Sequence, residues 1–367
     1  MGALSGCIGL SALSALVGGL AAPAVPMPFV TRWNTANSGV SASNQIRIPL
    51  VAGETYDCVI DWGDGVTEPW TTSVSPTHTY AASGTYTVSI SGTFPTIRFE
   101  NGGDRLKLLA IVNWGTVPWT TFRSAFYGCA NMQVEALDGG LANTAAVTDA
   151  YSMFRNCTGM TTFPELNLSS CTDLSYAWYN CNNMLTFTAP NISSAVILNF
   201  TWAFCSQLTA FPFVNTSNVT DFRYAWHNCT QLATFPFIDT SSGIQFDNTW
   251  ENAPITNFPL IDMGNAVQCG SAWRGCRTPI FPAIDMSNIV AADFCFILMP
   301  LTTEILVTGL KATTSIFGCG LDAAALNDLY TRLDVVSGKT ITVTNNPGVS
   351  GDDPTIATAK GWTVAGS

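Results

Sequence analysis

The apolar positions along the middle of the chain recur with a period of 23 or 24 residues. Each unit has an aromatic residue followed three positions later by a small residue, usually Cys, as in Trp226 and Cys229. Further apolar residues follow with the spacing Leu-x-x-Phe-x-x-Ile, as in Leu232, Phe235 and Ile238. Because a unit of this length cannot bury its apolar face alone, we expect the units to stack as coils of a solenoid. The aromatic–small pairs, with a 28-residue step between the first two, are Phe126–Cys129, Phe154–Cys157, Trp178–Cys181, Trp202–Cys205, Trp226–Cys229, Trp250–Ala253, Trp273–Cys276 and the degenerate Phe296–Met299.

The repeated aromatic and cysteine rows are predicted to form a structural ladder in the solenoid core. Large aromatics carry much of the apolar burial of a fold, so a buried row is favoured over a surface row that stacks sugar rings. Equivalent cysteines of stacked coils would lie about 5 Å apart, and Ala253 replaces Cys in one coil. A ladder of reduced, buried cysteines is therefore favoured, with occasional disulfides as the alternative. The residues assigned to the ladder are Trp178, Cys181, Trp202, Cys205, Trp226, Cys229, Trp250, Trp273 and Cys276.

The residues around the aromatic row predict a short helix in each coil. Thr220 suits a helix N-cap and Asp221 suits the first turn. Asn recurs two residues after the aromatic, as at Asn180 and Asn228, where a helix would end in a left-handed residue. The position directly after the aromatic is so varied that we expect it to face solvent. Its occupants are Arg155, Tyr179, Ala203, His227, Glu251 and Arg274.

The repeat resembles that of the BspA-like leucine-rich-repeat surface proteins, which carry many copies of a MF-x-x-C…LDTSNVT unit. Val214–Thr220 reads VNTSNVT and Ile284–Ile289 reads IDMSNI. The chain departs from that family by using Trp where Phe is common and Phe-Pro where a Leu-rich strand is common. A Pro recurring in each unit also indicates an irregular or narrow sheet. The resemblance covers more than half of the chain and implies a leucine-rich-repeat type solenoid over 113–320, with about eight coils.

The region 31–112 alternates apolar and polar residues as short β-strands do. Ile60–Gly65 reads IDWGDG, His78–Tyr80 reads HTY and Gly84–Val88 reads GTYTV. This order resembles polycystic-kidney-disease (PKD) type modules, and the resemblance implies an immunoglobulin-like β-sandwich used as a spacer or adhesion domain. The predicted fold class is therefore β-rich and multidomain, a β-sandwich followed by the solenoid and an α/β cap over 321–367.

Three acidic residues of this region raise the question of a metal. Asp57, Asp61 and Asp64 supply carboxylates of the kind that Ca²⁺ prefers, although no regular D-x-D-x-D loop is present. Turn and strand-end hydrogen bonds are the favoured interpretation. We expect no cofactor, with calcium as the less favoured alternative.

Charge and motifs narrow the classes of function. Only 11% of the residues are charged and the net charge is −11, which argues against nucleic-acid binding. The chain has two histidines, His78 and His227, and none of the common nucleophile, phosphate-loop or zinc motifs. A non-enzymatic protein is expected, since a pair of carboxylates for glycoside cleavage is the only catalytic set that the sequence leaves open.

The first 30 residues form an apolar segment that we interpret as an anchoring arm. No basic residue precedes Arg32, whereas a secretory signal begins with a basic region. Pro23, Pro26 and Pro28 interrupt the segment, which disfavours a membrane-spanning helix. The arm residues expected to bind a partner protein are Leu4, Ile8, Leu10, Leu13, Leu16, Val17 and Leu20.

Together these features favour a structural protein at the surface of a bacterial virus particle. It would act as a capsid decoration, a head or tail fibre, or a host-adhesion protein. The expected partners are other virion or surface proteins through the arm, and a host-surface glycan or protein through the repeats. We also expect a homo-oligomer or a larger assembly. The alternative is a bacterial cell-surface adhesin of the BspA-like type, extracellular or on the cell surface, and a polysaccharide-active enzyme is less favoured.

Overall fold

A computed structural model describes residues 26–367 of the protein, so the predicted arm residues Leu4 to Leu20 lie outside the described residues. The fold is β-rich, with a mixed sheet at the N-terminal side followed by a β-solenoid of about 11 turns and little helix. The solenoid thus has more turns than the eight that carry an aromatic–small pair. The N-terminal strands are β1 (Phe29–Asn34), β2 (Gln45–Arg47), β3 (Asp57–Asp61), β4 (Thr67–Trp70), β5 (Thr77–Thr79), β6 (Thr85–Thr93), β7 (Leu108–Asn113) and β8 (Gln133–Val134).

The N-terminal sheet has six strands in the order β4-β3-β6-β1-β7-β8, and β2 and β5 form a separate antiparallel pair. Alternation along the strands explains the burial: Cys58 and Ile60 point inward, while Val59 between them is exposed. Strand β7 pairs in parallel with β8, which belongs to the first part of the solenoid. The sheet therefore continues directly into the stacked coils. The structure shows a β-sheet region at the N-terminal side and does not identify the family of this region.

The solenoid coils are joined by backbone hydrogen bonds that run from one coil to the next. On one side of the coil, every second amide donates to the following coil, as from Trp178 N to Thr201 O at 2.8 Å. The paired strands of the solenoid are only two residues long, which agrees with the predicted narrow sheet. Many contacts are single parallel bridges, such as Asp173 with Ile197. The named solenoid strands are β9 (Thr162–Phe163), β10 (Thr186–Phe187), β11 (Ile280–Phe281), β12 (Glu304–Ile305) and β13 (Thr314–Ser315), with a 3₁₀ helix at Gly139–Leu141.

The prediction of a short helix in each coil is wrong. The residues around the aromatic row form turns in which two positions per coil have positive φ, such as Tyr176 at 59° and Asn180 at 58°. A right-handed helix cannot contain left-handed residues four positions apart, so Thr220 caps no helix. A leucine-rich repeat would carry helices, so that type of solenoid is not shown.

The C-terminal segment covers the last coil with both helix and strand. The helix of this cap is α1 (Ala323–Arg332), and the Asp322 side chain caps it by accepting a hydrogen bond from Ala325 N at 2.8 Å. Strands β13, β14 (Lys339–Thr342) and β15 (Trp362–Ala365) form a parallel sheet. The remaining helices are α2 (Thr355–Thr358) and a 3₁₀ helix at Pro347–Ser350. Across 26–367, the search for a helix of membrane-crossing length and hydropathy finds none.

The core of the solenoid is a continuous stack of aromatic rings, here called the aromatic spine. All five of its tryptophans are 0% exposed. Successive ring centroids lie 5.3–6.3 Å apart, for example 5.3 Å between Trp202 and Trp226. A second row of phenylalanines packs edge-on against the spine, as Phe235 does on Trp226 at 4.9 Å. The spine consists of Phe126, Phe154, Trp178, Trp202, Trp226, Trp250, Trp273 and Phe296.

The ladder cysteines lie beside the spine as buried, unbridged thiols. Each bonds to the backbone of the preceding coil: the Cys229 thiol donates to Trp202 O at 3.2 Å, and the Cys205 thiol to Trp178 O at 3.3 Å. A small apolar side chain with one weak donor fits this position, which explains the recurrence of Cys there.

Candidate binding face

One surface of the solenoid, here called the turn face, combines left-handed backbone with aromatic and charged side chains. It comprises three positions of each coil, which lie three and two residues before the spine aromatic and one residue after it. The middle position has positive φ in every coil from Ser124 to Phe294, with values of 53–59°. Its occupants are Ser124, Ser152, Tyr176, Phe200, Tyr224, Asn248, Ser271 and Phe294.

Three consecutive coils place a large aromatic at this left-handed position. Tyr176 and Phe200 stack with ring centroids 4.9 Å apart and planes 9° apart, and Phe200 and Tyr224 stack at 4.2 Å and 4°. Left-handed backbone favours Gly and Asn and penalises bulky side chains. The three rings are half-buried. The aromatic stack therefore stands on backbone that does not favour it and remains partly exposed to solvent.

A polar network adjoins the Tyr224 end of the stack. Glu251 is 7% exposed and accepts a hydrogen bond from Asn248 Nδ2 at 2.5 Å. Its carboxylate also lies 3.1 Å from His227 Nδ1 and 3.2 Å from Arg274 Nη1. Burial alone would raise the pKa of Glu251, but the hydrogen bonds from His227 and Asn248 and the charge of Arg274 lower it below the usual 4.5. The carboxylate is therefore held ionised.

A second carboxylate of the same coil is shifted in the opposite direction. Burial raises the pKa of Asp247 above its usual 3.8, although the side chain accepts a hydrogen bond from Gly270 N at 2.8 Å. The nearby ion pair of Arg223 with Asp221 also acts on this pKa: the Arg223 charge lowers it and the Asp221 charge raises it. The Nη2 and Oδ2 atoms of that pair lie 2.6 Å apart. The two acids at this end of the face thus have different environments.

Arg155 occupies the other end of the stack. Its guanidinium lies over the rings of Tyr176 at 4.9 Å, Tyr127 at 5.1 Å and Tyr179 at 5.1 Å. The Arg155 Nε is buried and has no hydrogen-bond partner. Cation–π contacts of this kind orient a guanidinium without using its N–H donors.

Further buried polar atoms of the turn face have no partner in the protein. They include a hydroxyl oxygen at Ser152, an amide oxygen at Asn199 and a guanidine nitrogen at Arg274. An unpaired buried polar atom costs about 1–3 kcal/mol, so such atoms are normally few.

The structure places the row after the aromatic differently from expectation. The prediction that this row faces solvent is wrong for Ala203, which is 0% exposed, and for Glu251. Arg155, Tyr179 and His227 are half-buried. The variety of this row comes from contacts between neighbouring coils: Glu251 binds His227 of the preceding coil and Arg274 of the following one.

The acidic residues of the N-terminal region act in turns. Asp61 Oδ1 accepts from Gly63 N at 2.9 Å, and Asp64 Oδ1 accepts from Val66 N at 3.1 Å. Asp64 Oδ2 also lies 2.8 Å from Nε2 of His78. Asp57 is exposed. No group of three or more candidate metal ligands occurs in the part of the chain that the structure describes.

The aromatic stack was not identified from the sequence. Its signal was the series Tyr176, Phe200, Tyr224 two residues before the spine, at 24-residue steps. The series is unusual because its backbone is left-handed, which the predicted helix does not allow. Comparison with known proteins finds no matching family model, no matching curated protein and no matching solved structure.

Proposed function

We propose that this chain is a non-enzymatic binding protein that presents its turn face to a glycan on a cell surface. The observation that carries the proposal is the stack of Tyr176, Phe200 and Tyr224 on left-handed backbone. A left-handed conformation costs a bulky residue about 1–2 kcal/mol, and an aromatic pair returns about 0.5–1.5 kcal/mol beyond its burial. The strain of the backbone therefore offsets much of what the stacking contributes, and the rings remain partly exposed, so we infer that the stack serves a ligand.

The polar groups of the same face support a glycan in particular. Sugars carry many hydroxyls, which bond to amides, carboxylates and guanidinium groups in binding sites lined by aromatic side chains. Asn248, Glu251 and Arg274 supply such groups beside Tyr224. With only 11% charged residues in the chain, this concentration of polar side chains is local.

As its setting we propose the surface of a bacterial virus particle, where the chain serves as a capsid decoration, fibre or host-adhesion protein. The sequence resemblance to PKD-type modules and BspA-like repeats supports an adhesion role, and also supplies the alternative of a bacterial cell-surface adhesin. In both settings the N-terminal region would be a spacer, and the segment 1–25 would dock on a neighbouring subunit or another surface protein.

The test has two parts. Binding of the purified full chain to a glycan array and to whole bacterial cells tests the glycan role, with Tyr224→Ala as the variant expected to lose binding. Immunogold labelling of virus particles and host cells tests the setting. Deleting residues 1–25 should release the protein from its particle while the solenoid stays folded. Normal assembly of the truncated chain would contradict the proposed arm.

One observation favours a polysaccharide-cleaving enzyme as a second candidate. Asp247 and Glu251 lie on one coil and their pKa values are shifted in opposite directions. A general acid beside an ionised carboxylate has pKa values separated in this way, and glycoside cleavage also requires the two carboxyl groups to flank the glycosidic bond. The contacts of Glu251 with Asn248 and Arg274 are equally consistent with a structural ion-pair network. A turnover assay distinguishes a catalytic carboxylate from a structural one.

A further inference from the structure

Three of the four arginines on the turn face form ion pairs with carboxylates. Arg123 pairs with Asp149 at 2.9 Å, and Arg274 pairs with Glu251 at 3.2 Å. Arg223 likewise pairs with an aspartate of its own coil. Arg155 is the exception on this face: within 26–367 its guanidinium has aromatic neighbours and no carboxylate at ion-pairing distance.

The surroundings of Arg155 hold the guanidinium ready for a planar anion. Three tyrosine rings lie within 5.1 Å of it, so the group is oriented and partly desolvated. Its N–H fork matches the two oxygens of a carboxylate, and a hydrogen bond to an ion is stronger where water is displaced. Because the Nε is buried among these rings, the terminal nitrogens are the donors that a ligand carboxylate would use.

We infer that the turn face recognises a glycan that carries one carboxylate, such as an oligosaccharide with a single uronic or sialic acid residue, and that Arg155 binds this carboxylate. This inference rests on the proposed glycan function and names the chemical class of the ligand. A carboxylate brings one negative charge to one unpaired cation. Phosphate brings up to two charges to a face whose other arginines are already neutralised, in a chain of net charge −11.

The ligand is an oligosaccharide that runs along the solenoid axis. Arg155 and Tyr224 lie three coils apart, which at about 4.8 Å a coil is about 14 Å. A single sugar cannot reach both ends of the stack. The sugar rings follow the edges of Tyr176, Phe200 and Tyr224, and the amide of Asn248 lies at the far end.

The experiment measures binding of the full chain by titration calorimetry to a panel of otherwise neutral oligosaccharides that each carry one galacturonic, glucuronic or sialic acid residue. The methyl ester of each binding member keeps the sugar backbone and removes the charge. Arg155→Gln should weaken binding at least tenfold, and Arg155→Lys should weaken it less. The matched control is Arg277→Gln, which removes the same charge from an exposed solenoid position off the face.

The outcomes separate the inference from the proposed function. Equal binding of the ester and the free acid, or unchanged affinity of Arg155→Gln, would overturn the carboxylate inference. Neutral glycans that bind and depend on Tyr224 but not on Arg155 would leave the proposed function standing alone. If no acidic or neutral glycan binds, both fall. Should Arg155→Gln fail to fold, the comparison of ester with free acid decides on the unmodified protein.

Discussion

The indole rings of Trp178 and Trp202 lie parallel, with centroids 5.7 Å apart and planes 2° apart. Because they are equivalent residues of adjacent coils, their contact fixes the register of one coil on the next. The same relation recurs between Trp226 and Trp250, at 5.9 Å and 3°. A ring that fills this row is therefore needed in each coil for the stack to continue.

Replacing a spine residue should destabilise the protein strongly. Trp226 is 0% exposed and contacts aromatic rings of both neighbouring coils, so Trp226→Ala should lower the free energy of unfolding by about 3–5 kcal/mol. Denaturant unfolding measures the change. The matched control is Phe237→Ala, because Phe237 is 59% exposed and its truncation should cost little. Equal losses for the two variants would refute the assignment of the spine.

The aromatic stack of the turn face should matter more for binding than for stability. Phe200→Asn removes two stacking contacts but places a residue that tolerates left-handed backbone, so unfolding free energy should change by about 1 kcal/mol or less. Glycan binding should be lost. Phe294→Asn makes the same change at the same backbone position outside the stack and should leave binding intact. A large loss of stability with intact binding would assign the stack a structural role instead.

The cysteines of the solenoid should be unreactive in the folded protein. The eleven described cysteines are buried, and burial raises the pKa of Cys229 to about 12, so almost no thiolate exists at pH 8. A Cys7→Ser background removes the cysteine outside the described residues. Ellman's reagent should find no fast thiol in the native protein and eleven in guanidinium chloride. Fewer thiols after denaturation would reveal disulfides.

The two acids at the end of the stack should affect stability with opposite signs. Because the pKa of Glu251 is lowered, its ionised form stabilises the fold at pH values above the ordinary pKa of 4.5. This stabilisation is lost as the pH falls through the lowered pKa. The raised pKa of Asp247 means that its contribution is present at low pH and lost as pH rises through the raised pKa.

At pH 7, Glu251→Gln should therefore lower the unfolding temperature and Asp247→Asn should raise it, each by about 1–3 °C. Both differences should shrink towards pH 3, which thermal unfolding over a pH series measures. The same sign for both variants at pH 7 would contradict the different environments of the two carboxylates.

The purified chain should bind glycans without cleaving them. Incubation of each bound oligosaccharide with the protein should release no new reducing ends, because Glu251 is held in ion pairs with His227 and Arg274. Sustained turnover that disappears in Asp247→Asn or Glu251→Gln would favour the enzyme alternative and end the non-enzymatic proposal.

The sequence predicts the solenoid and its spine because a period of one coil is visible in a single chain. The spacing of Trp226 and Cys229 also places both residues on one row. The helix prediction failed because Asn228 signals left-handed backbone, which ends a helix but also closes a tight turn. The role of Glu251 could not be predicted, because its partners His227 and Arg274 lie one coil away on either side. Such contacts depend on the stacking, and local sequence patterns do not reveal them.

The aromatic spine also shapes how this protein can change over generations. Each coil contacts its immediate neighbours, so an internal duplication of one 24-residue unit inserts one more ring and leaves both ends of the molecule unaltered. Such a step lengthens the rod by one coil and adds one further position to the turn face. Reach and ligand length can thus evolve together through copying errors in the gene, without redesign of the interior.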